Sequence, residues 1–327
     1  MKALKVLGSI TAVLLVVALG AVYFLGPSMG PLLLGKPIFL GHDSPKRYAQ
    51  SVLEVSETLG VHGESEEFQQ ARARAEEVAA TGDRNALYPV LNEAVQAAGG
   101  KHSRLHPPAS ADGSDEVEPS RPPEVRRERG VIFALVPEVG RNEDVQGYAD
   151  ALAAGINDGA GAGACGVVVD LRGNGGGDMG PMVAGLSSLL PDGPVLSFVS
   201  RAGSSDVTVD GNSVQGGGTS VSTSGGKHDL PVAVLVDAST ASSGEATMLS
   251  FRGLDYSRSF GEPTAGYASA NTVYDYPDGS ELMLTMAKDK ARTGEEFMDD
   301  PVQPDEHTDD PEQAAREWLS QRGCVAG

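Results

Sequence analysis

The chain has 327 residues, with 25 Lys and Arg against 45 Asp and Glu, for a net charge of −20. That balance excludes a nucleic-acid or anionic-lipid surface as the main partner, because phosphate recognition needs clustered cations. The length suffices for a sizeable core, either two domains or one large one with an appendage.

The N-terminus differs from the rest. Met1-Lys2-Ala3-Leu4-Lys5 is a short basic head, and Val6 to Leu25 carries no charge. A run of about 20 apolar residues rising about 1.5 Å each crosses the hydrocarbon layer of a bilayer. Lysines on the short side keep that end in the cytoplasm and send the remainder across. Residues 1–26 are therefore predicted to be a transmembrane anchor or a cleaved signal peptide. No small-x-small cleavage site stands near Leu25 and Gly26, which favours the anchor. Either way the body of the chain lies outside the cytoplasm.

Residues 27–42, rich in Gly, Pro and Leu, read as a tether. Residues 43–104 read as a helical domain. Val52, Leu53, Val55 and Leu59 recur at helical spacing, as do Leu87, Val90, Leu91, Ala94 and Val95, and Gly99-Gly100 stops the run. Residues 105–129 hold Pro107-Pro108, Pro119 and Pro122-Pro123 among Ser, Asp and Glu, and predict a loop or lid. From Gly130 to the end, residues 130–327 alternate buried-strand and helix patterns, which predicts an α/β core. Its strands are expected near 131–136, 165–171, 195–199, 232–236 and 282–286, with a weak hairpin at Asp206 to Val214. Two cysteines, Cys165 and Cys324, are compatible with one disulfide outside the cytoplasm or with two buried thiols. With no His at ligand spacing they make no zinc site, and no metal or organic cofactor is expected.

Three segments carry candidate chemistry. Asp170-Leu171-Arg172-Gly173-Asn174-Gly175-Gly176-Gly177 follows an apolar strand, and its glycines let main-chain N–H groups approach an anion, either a phosphate or the oxyanion of acyl transfer. Asp237-Ala238-Ser239-Thr240-Ala241-Ser242-Ser243-Gly244-Glu245 also lies between a strand and a helix. A serine there either presents its hydroxyl to a substrate or merely caps the helix, with Glu245 reaching back. Lys101-His102-Ser103 supplies an imidazole, the side chain suited to act as a base near neutral pH. His42, His62, His228 and His307 sit in polar settings, whereas His102 and its neighbour His106 draw attention because the serine needs a partner.

In this order these segments, with Gly261-Glu262-Pro263-Thr264-Ala265-Gly266 and Pro301-Val302-Gln303-Pro304-Asp305, resemble the carboxyl-terminal processing (tail-specific) protease family, in its tricorn-like branch. The resemblance covers about residues 100–306 and implies a crotonase-like or Clp-protease-like α/β core. It places the nucleophile on Ser242, three residues before Glu245, and the oxyanion donors on the amides of Ser243 and Gly176. The Ser-Lys branch carries a lysine directly after the Gly-x-x-x-x-Gly segment, where this chain has Tyr267, and no lysine occurs between Lys227 and Lys288. The histidine-dependent branch then implies His102 as base and Ser103 as a relay, although its members carry a serine where this chain has Lys101. A C-terminal acid completes the set, with Glu296 or Asp299 favoured over Glu295 and Asp300. The family's peptide-binding PDZ module has no room between His102 and Val131. The expected activity is serine endopeptidase cleavage of extracytoplasmic protein or peptide substrates. The alternative is a membrane-tethered, non-catalytic peptide- or ligand-binding protein on the same scaffold.

Overall fold

A computed structural model describes residues 2–41, 43–108 and 120–324. Residue 1, His42, residues 109–119 of the proline-rich segment and residues 325–327 lie outside the described residues. The chain divides into two compact units, one of residues 1–116 with 271–286 and the other of residues 117–270 with 287–327.

In the first unit, the N-terminal helix runs over Lys2–Leu34, so the tether expected at 27–42 begins only after Leu34. The helix continues through Pro27 and Pro31. Each proline lacks the N–H that would bond the carbonyl four residues back, which frees the carbonyls of Tyr23 and Pro27. Arg47 Nη2 donates to the first at 2.7 Å and Ser51 Oγ to the second at 2.5 Å. The next helix, Pro45–Leu59, thus supplies from its own side chains the donors that the prolines removed. Residues Ile10–Leu34 are long and apolar enough to cross a membrane, at a mean hydropathy of 2.2.

Three further helices of this unit, Pro45–Leu59, Glu66–Thr81 and Arg84–Gly99, begin at Ser44, Ser65 and Asp83, whose side chains accept amides of the first turn. They bury Leu53, Phe68, Leu87 and Leu91 against Leu282 and Leu284. Those last two belong to the strand Glu281–Ala291, whose first residues pair antiparallel with Arg104–His106. Residues 271–286 therefore pack with the helical segment, not with the core in which 130–327 placed them. Hydrophobic periodicity reveals which face of a strand is buried but not which partner covers it.

The second unit is built on a six-stranded sheet in the order Glu306–His307, Ser257–Gly261, Val232–Val236, Gly166–Asp170, Val131–Leu135 and Glu124–Glu128. All neighbours are parallel except the last pair. The strand Glu124–Glu128, like Arg104–His106, lies where a loop was expected over 105–129. Both are short and polar, and hydrogen bonding to a neighbour, not an apolar pattern, makes them strands. Val167, Val169, Val232 and Val234 are buried with Leu152 and Ile156 of the helix Val145–Gly161. On the other face the C-terminal helix Pro311–Gln321 sets Trp318 and Leu319 against Phe133, Val168 and Phe260. A disulfide joins Cys165 to Cys324, across 159 residues of sequence. A second, antiparallel set pairs Gly193–Ser200 with Gly203–Asp210 and with residues 287–291. The predicted hairpin is present, since Gly203–Asp210 pairs with Ser213–Gln215. The mixed α/β core thus agrees with the fold expected from the sequence.

Candidate active site

In a parallel sheet the loops leaving the carboxyl ends of the strands gather along one edge, where such folds bind ligands. Here those loops are the segment after Leu135, the glycine loop after Asp170, the serine turn after Val236 and the segment after Gly261.

Ser242 occupies the tight junction between strand and helix. Its φ is 52°, one of two positive values among described non-glycine residues. An L-residue adopts that region at a cost of about 1–3 kcal/mol, which persists where the surroundings over-determine it. The surroundings here are specific. The Ser242 N–H donates to a Glu245 carboxylate oxygen at 2.8 Å, and Ala246 N–H to the Ser242 carbonyl at 2.9 Å. Glu245 thus makes the backward reach that a capping serine would also use, but the positive φ goes beyond what a helix cap requires, since caps favour the extended region.

The glycine loop lies directly against this turn. A Cβ added to Gly176, whose φ is 117°, would meet Ser242 Cβ at 2.8 Å and Ser242 Oγ at 3.2 Å. Ser243 Oγ donates to the Gly177 carbonyl at 2.7 Å, and Ala241 N–H to the Asn174 carbonyl at 2.8 Å. Gly176 therefore lies against Ser242 and Ser243, although more than 60 residues separate it from them in sequence. One detail differs from expectation: the Gly176 N–H donates to Asn174 Oδ1 at 2.9 Å.

Glu245 is fully buried. One carboxylate oxygen accepts the Gly266 N–H at 2.9 Å and the Thr264 hydroxyl. The other accepts Ser242 N–H and, at 2.7 Å, the N–H of Tyr267. Burial raises its pKa while these donors pull it back. Tyr267, at the position where the resemblance implied a lysine in the Ser-Lys branch, donates its backbone N–H to this carboxylate. Asp289 is also buried, one of its carboxylate oxygens has no partner, and burial, then the charge of Glu245, raises its pKa well above its ordinary value.

The remaining expected residues are placed as follows. His102 sits in the turn after the helix Arg84–Gly99, in the first unit. Burial, with the charge of Lys101 adding, lowers its pKa to about 4. Ser103 is fully buried, and its Oγ accepts the Thr285 N–H at 2.8 Å, which occupies the hydroxyl in a structural bond. His106 ends the strand Arg104–His106 and is exposed. Glu296 is exposed, with Lys288 at 3.8 Å and Lys290 at 4.0 Å. Asp299 is partly buried, and its Oδ1 is enclosed without a hydrogen-bond partner. Among the described residues, no group of three or more His, Cys, Asp or Glu is arranged to hold a metal ion.

Asn174, Thr264 and Asp289 were given no role from the sequence. Asn174 and Thr264 lie within the glycine loop and the Gly261–Gly266 segment, where a polar side chain among glycines or before one is the available signal. Asp289 alternates with the buried Thr285, Ala287 and Ala291, a period of two that marks it as inward-facing despite the flanking lysines.

A strained serine between strand and helix, packed on a glycine loop at the carboxyl edge of a parallel sheet, is the arrangement of an α/β serine hydrolase. The family model described as Peptidase family S41 matches residues 141–308. The chain belongs to peptidase family S41. It is 35% identical over 288 residues to the nisin-resistance protein of Lactococcus lactis subsp. lactis, covering 86% of this chain and 89% of that one. A structure of a lipoprotein from Streptococcus agalactiae superposes at a TM-score of 0.75, with 28% identity, covering 87% of this chain and 99% of that one. The photosystem II D1 C-terminal processing protease shares the fold at a TM-score of 0.58 and 16% identity, covering 83% of this chain and 94% of that one.

Proposed function

We propose that this chain is a membrane-anchored, extracytoplasmic serine endopeptidase with Ser242 as nucleophile and His102 as base. The observation that carries the reading is the positive φ of Ser242 against Gly176, which leaves the serine on a strained turn beside main-chain amides. Ser242 Oγ attacks the scissile carbonyl while His102 Nε2 or Nδ1 takes its proton. The negative oxygen of the tetrahedral species is held by the amides of Ser243 and Gly176. The C–N bond then breaks, the amine leaves with the proton from His102, and water repeats the sequence on the acyl-serine. Asp299, with its enclosed and unpartnered oxygen, suits the orienting acid better than Glu296, whose charge is spent on two surface lysines. The Ser103 hydroxyl accepts the Thr285 N–H and keeps its own proton to donate, which is what the proposed relay uses.

Two observations support the location. The Cys165–Cys324 disulfide suits an oxidising compartment. The carbonyls of Tyr23 and Pro27 are bonded by Arg47 and Ser51, so the end of the apolar helix is tied to the next helix, which supports the reading of a retained single-pass anchor. Because a relative of 35% identity is named for nisin resistance, nisin is the first substrate to try.

The test is labelling by a fluorophosphonate probe, which reacts with an activated serine. Labelling of the wild type that is absent in Ser242→Ala supports the peptidase. Folded wild-type protein that labels no more than Ser242→Ala instead supports the binding protein on the same scaffold.

A further inference from the structure

Asn174 is fully buried, and both ends of its carboxamide are used. Its Nδ2 donates to the Val136 carbonyl at 2.8 Å and its Oδ1 accepts the Gly176 N–H at 2.9 Å. Its own carbonyl accepts the Ala241 N–H at 2.8 Å, and a Cβ on Gly244 would come within 2.9 Å of that oxygen. One residue therefore joins the loops leaving three parallel strands, and two of those loops are the glycine loop and the serine turn.

From this geometry we infer that Asn174 is the positioning residue of the oxyanion site, a neutral acceptor that holds the Gly176 amide in the free protein and yields it to the oxyanion during acyl transfer. The inference rests on the Ser242 reading. An amide N–H cannot serve two acceptors at full strength, so Gly176 must exchange one for the other. A hydrogen bond to a charged oxygen is roughly twice as strong as one to a neutral carbonyl. The exchange from an asparagine carbonyl to an oxyanion is therefore downhill. From a carboxylate in the same place it is not. Donation to Val136 keeps the carboxamide in place while the amide moves.

Asn174→Asp keeps the shape and the acceptor but makes the acceptor anionic and removes the donor to Val136, so the split between kinact and KI and the adduct structure below separate this role from simple support. The experiment measures kinact and KI of a fluorophosphonate probe on the full chain at pH 7, with thermal unfolding recorded alongside. The expected result is a kinact at least about tenfold lower in Asn174→Asp with KI within about twofold, since the loss falls on a transition-state donor. A crystal structure of the phosphonylated wild type is expected to show the Gly176 N–H on the phosphoryl oxygen and Asn174 still bonded to Val136. That structure decides the matter if Asn174→Asp fails to fold. A labelled wild type with unchanged kinact in Asn174→Asp, or an adduct in which Gly176 still donates to Asn174, overturns the inference alone. A folded wild type that does not label overturns the Ser242 reading, and the inference with it.

Discussion

A side chain on Gly176 would overlap Ser242, with the two Cβ atoms 2.8 Å apart, and Gly176 also holds a φ of 117°. At this point the loop and the serine turn leave no room for a side chain on residue 176. Gly176→Ala is expected to cost about 1–3 kcal/mol of stability through backbone strain and displacement. Alanine keeps the amide but displaces it from Ser242, so labelling is also expected to fall, by up to the roughly 100-fold that loss of an oxyanion donor costs. Labelling at the wild-type rate in a folded Gly176→Ala protein would remove the loop from the proposed chemistry.

As the proposed base, His102 with its low pKa is expected to set the acid limb of Ser242 labelling. Burial holds the imidazole neutral down to about 4, against an ordinary value of 6.5. As proposed base it remains competent across that interval, so labelling of Ser242 is expected to fall near pH 4. A limb near 6.5, or a His102→Gln protein that labels normally, argues against it. The same depression fixes the sign for folding. The unfolded chain binds a proton that the folded chain refuses between about 6.5 and 4, so this group's contribution to stability declines as pH falls through that window.

Asp289 gives the opposite sign. Burial, then the charge of Glu245, raises its pKa, so the folded protein keeps a proton that the unfolded chain releases. Its contribution is full below the ordinary carboxylate range and is lost as pH rises through the folded value. Asp289→Asn keeps the shape and removes the titration. Melting temperatures from pH 5 to 9 are expected to fall more steeply for the wild type than for Asp289→Asn. Parallel curves would mean that Asp289 is already ionised.

The disulfide closes a long loop, 159 residues in sequence, and its partners lie at the strand Gly166–Asp170 and beyond the C-terminal helix. Cys165→Ser with Cys324→Ser is expected to lose about 2–5 kcal/mol. Chemical denaturation with and without reductant checks this, and reductant should leave the double variant unchanged.

Much of the core was legible from composition alone. The apolar strands Val131–Leu135, Gly166–Asp170 and Val232–Val236, and the glycine and serine segments after two of them, declared themselves, because runs of valine have few other ways to be buried and turns demand particular residues. The short polar strands Arg104–His106 and Glu124–Glu128 left no such mark, since their structure comes from neighbours. The helix past Pro27 was hidden for a related reason: the donors that compensate its prolines, Arg47 and Ser51, lie about 24 residues further on.

The sequence by itself determined the apolar N-terminal helix and the α/β core, properties of residue type and local period, and through its family resemblance the candidacy of Ser242. Only the tertiary structure decided that Gly176 abuts Ser242 and gives its amide to Asn174, that Cys165 meets Cys324, and that Glu245 gathers amides from Ser242, Gly266 and Tyr267. Local pattern records what each segment prefers. Which hydrogen-bond partner a buried group finds depends on distances between segments far apart in the chain, and the packed fold alone sets those.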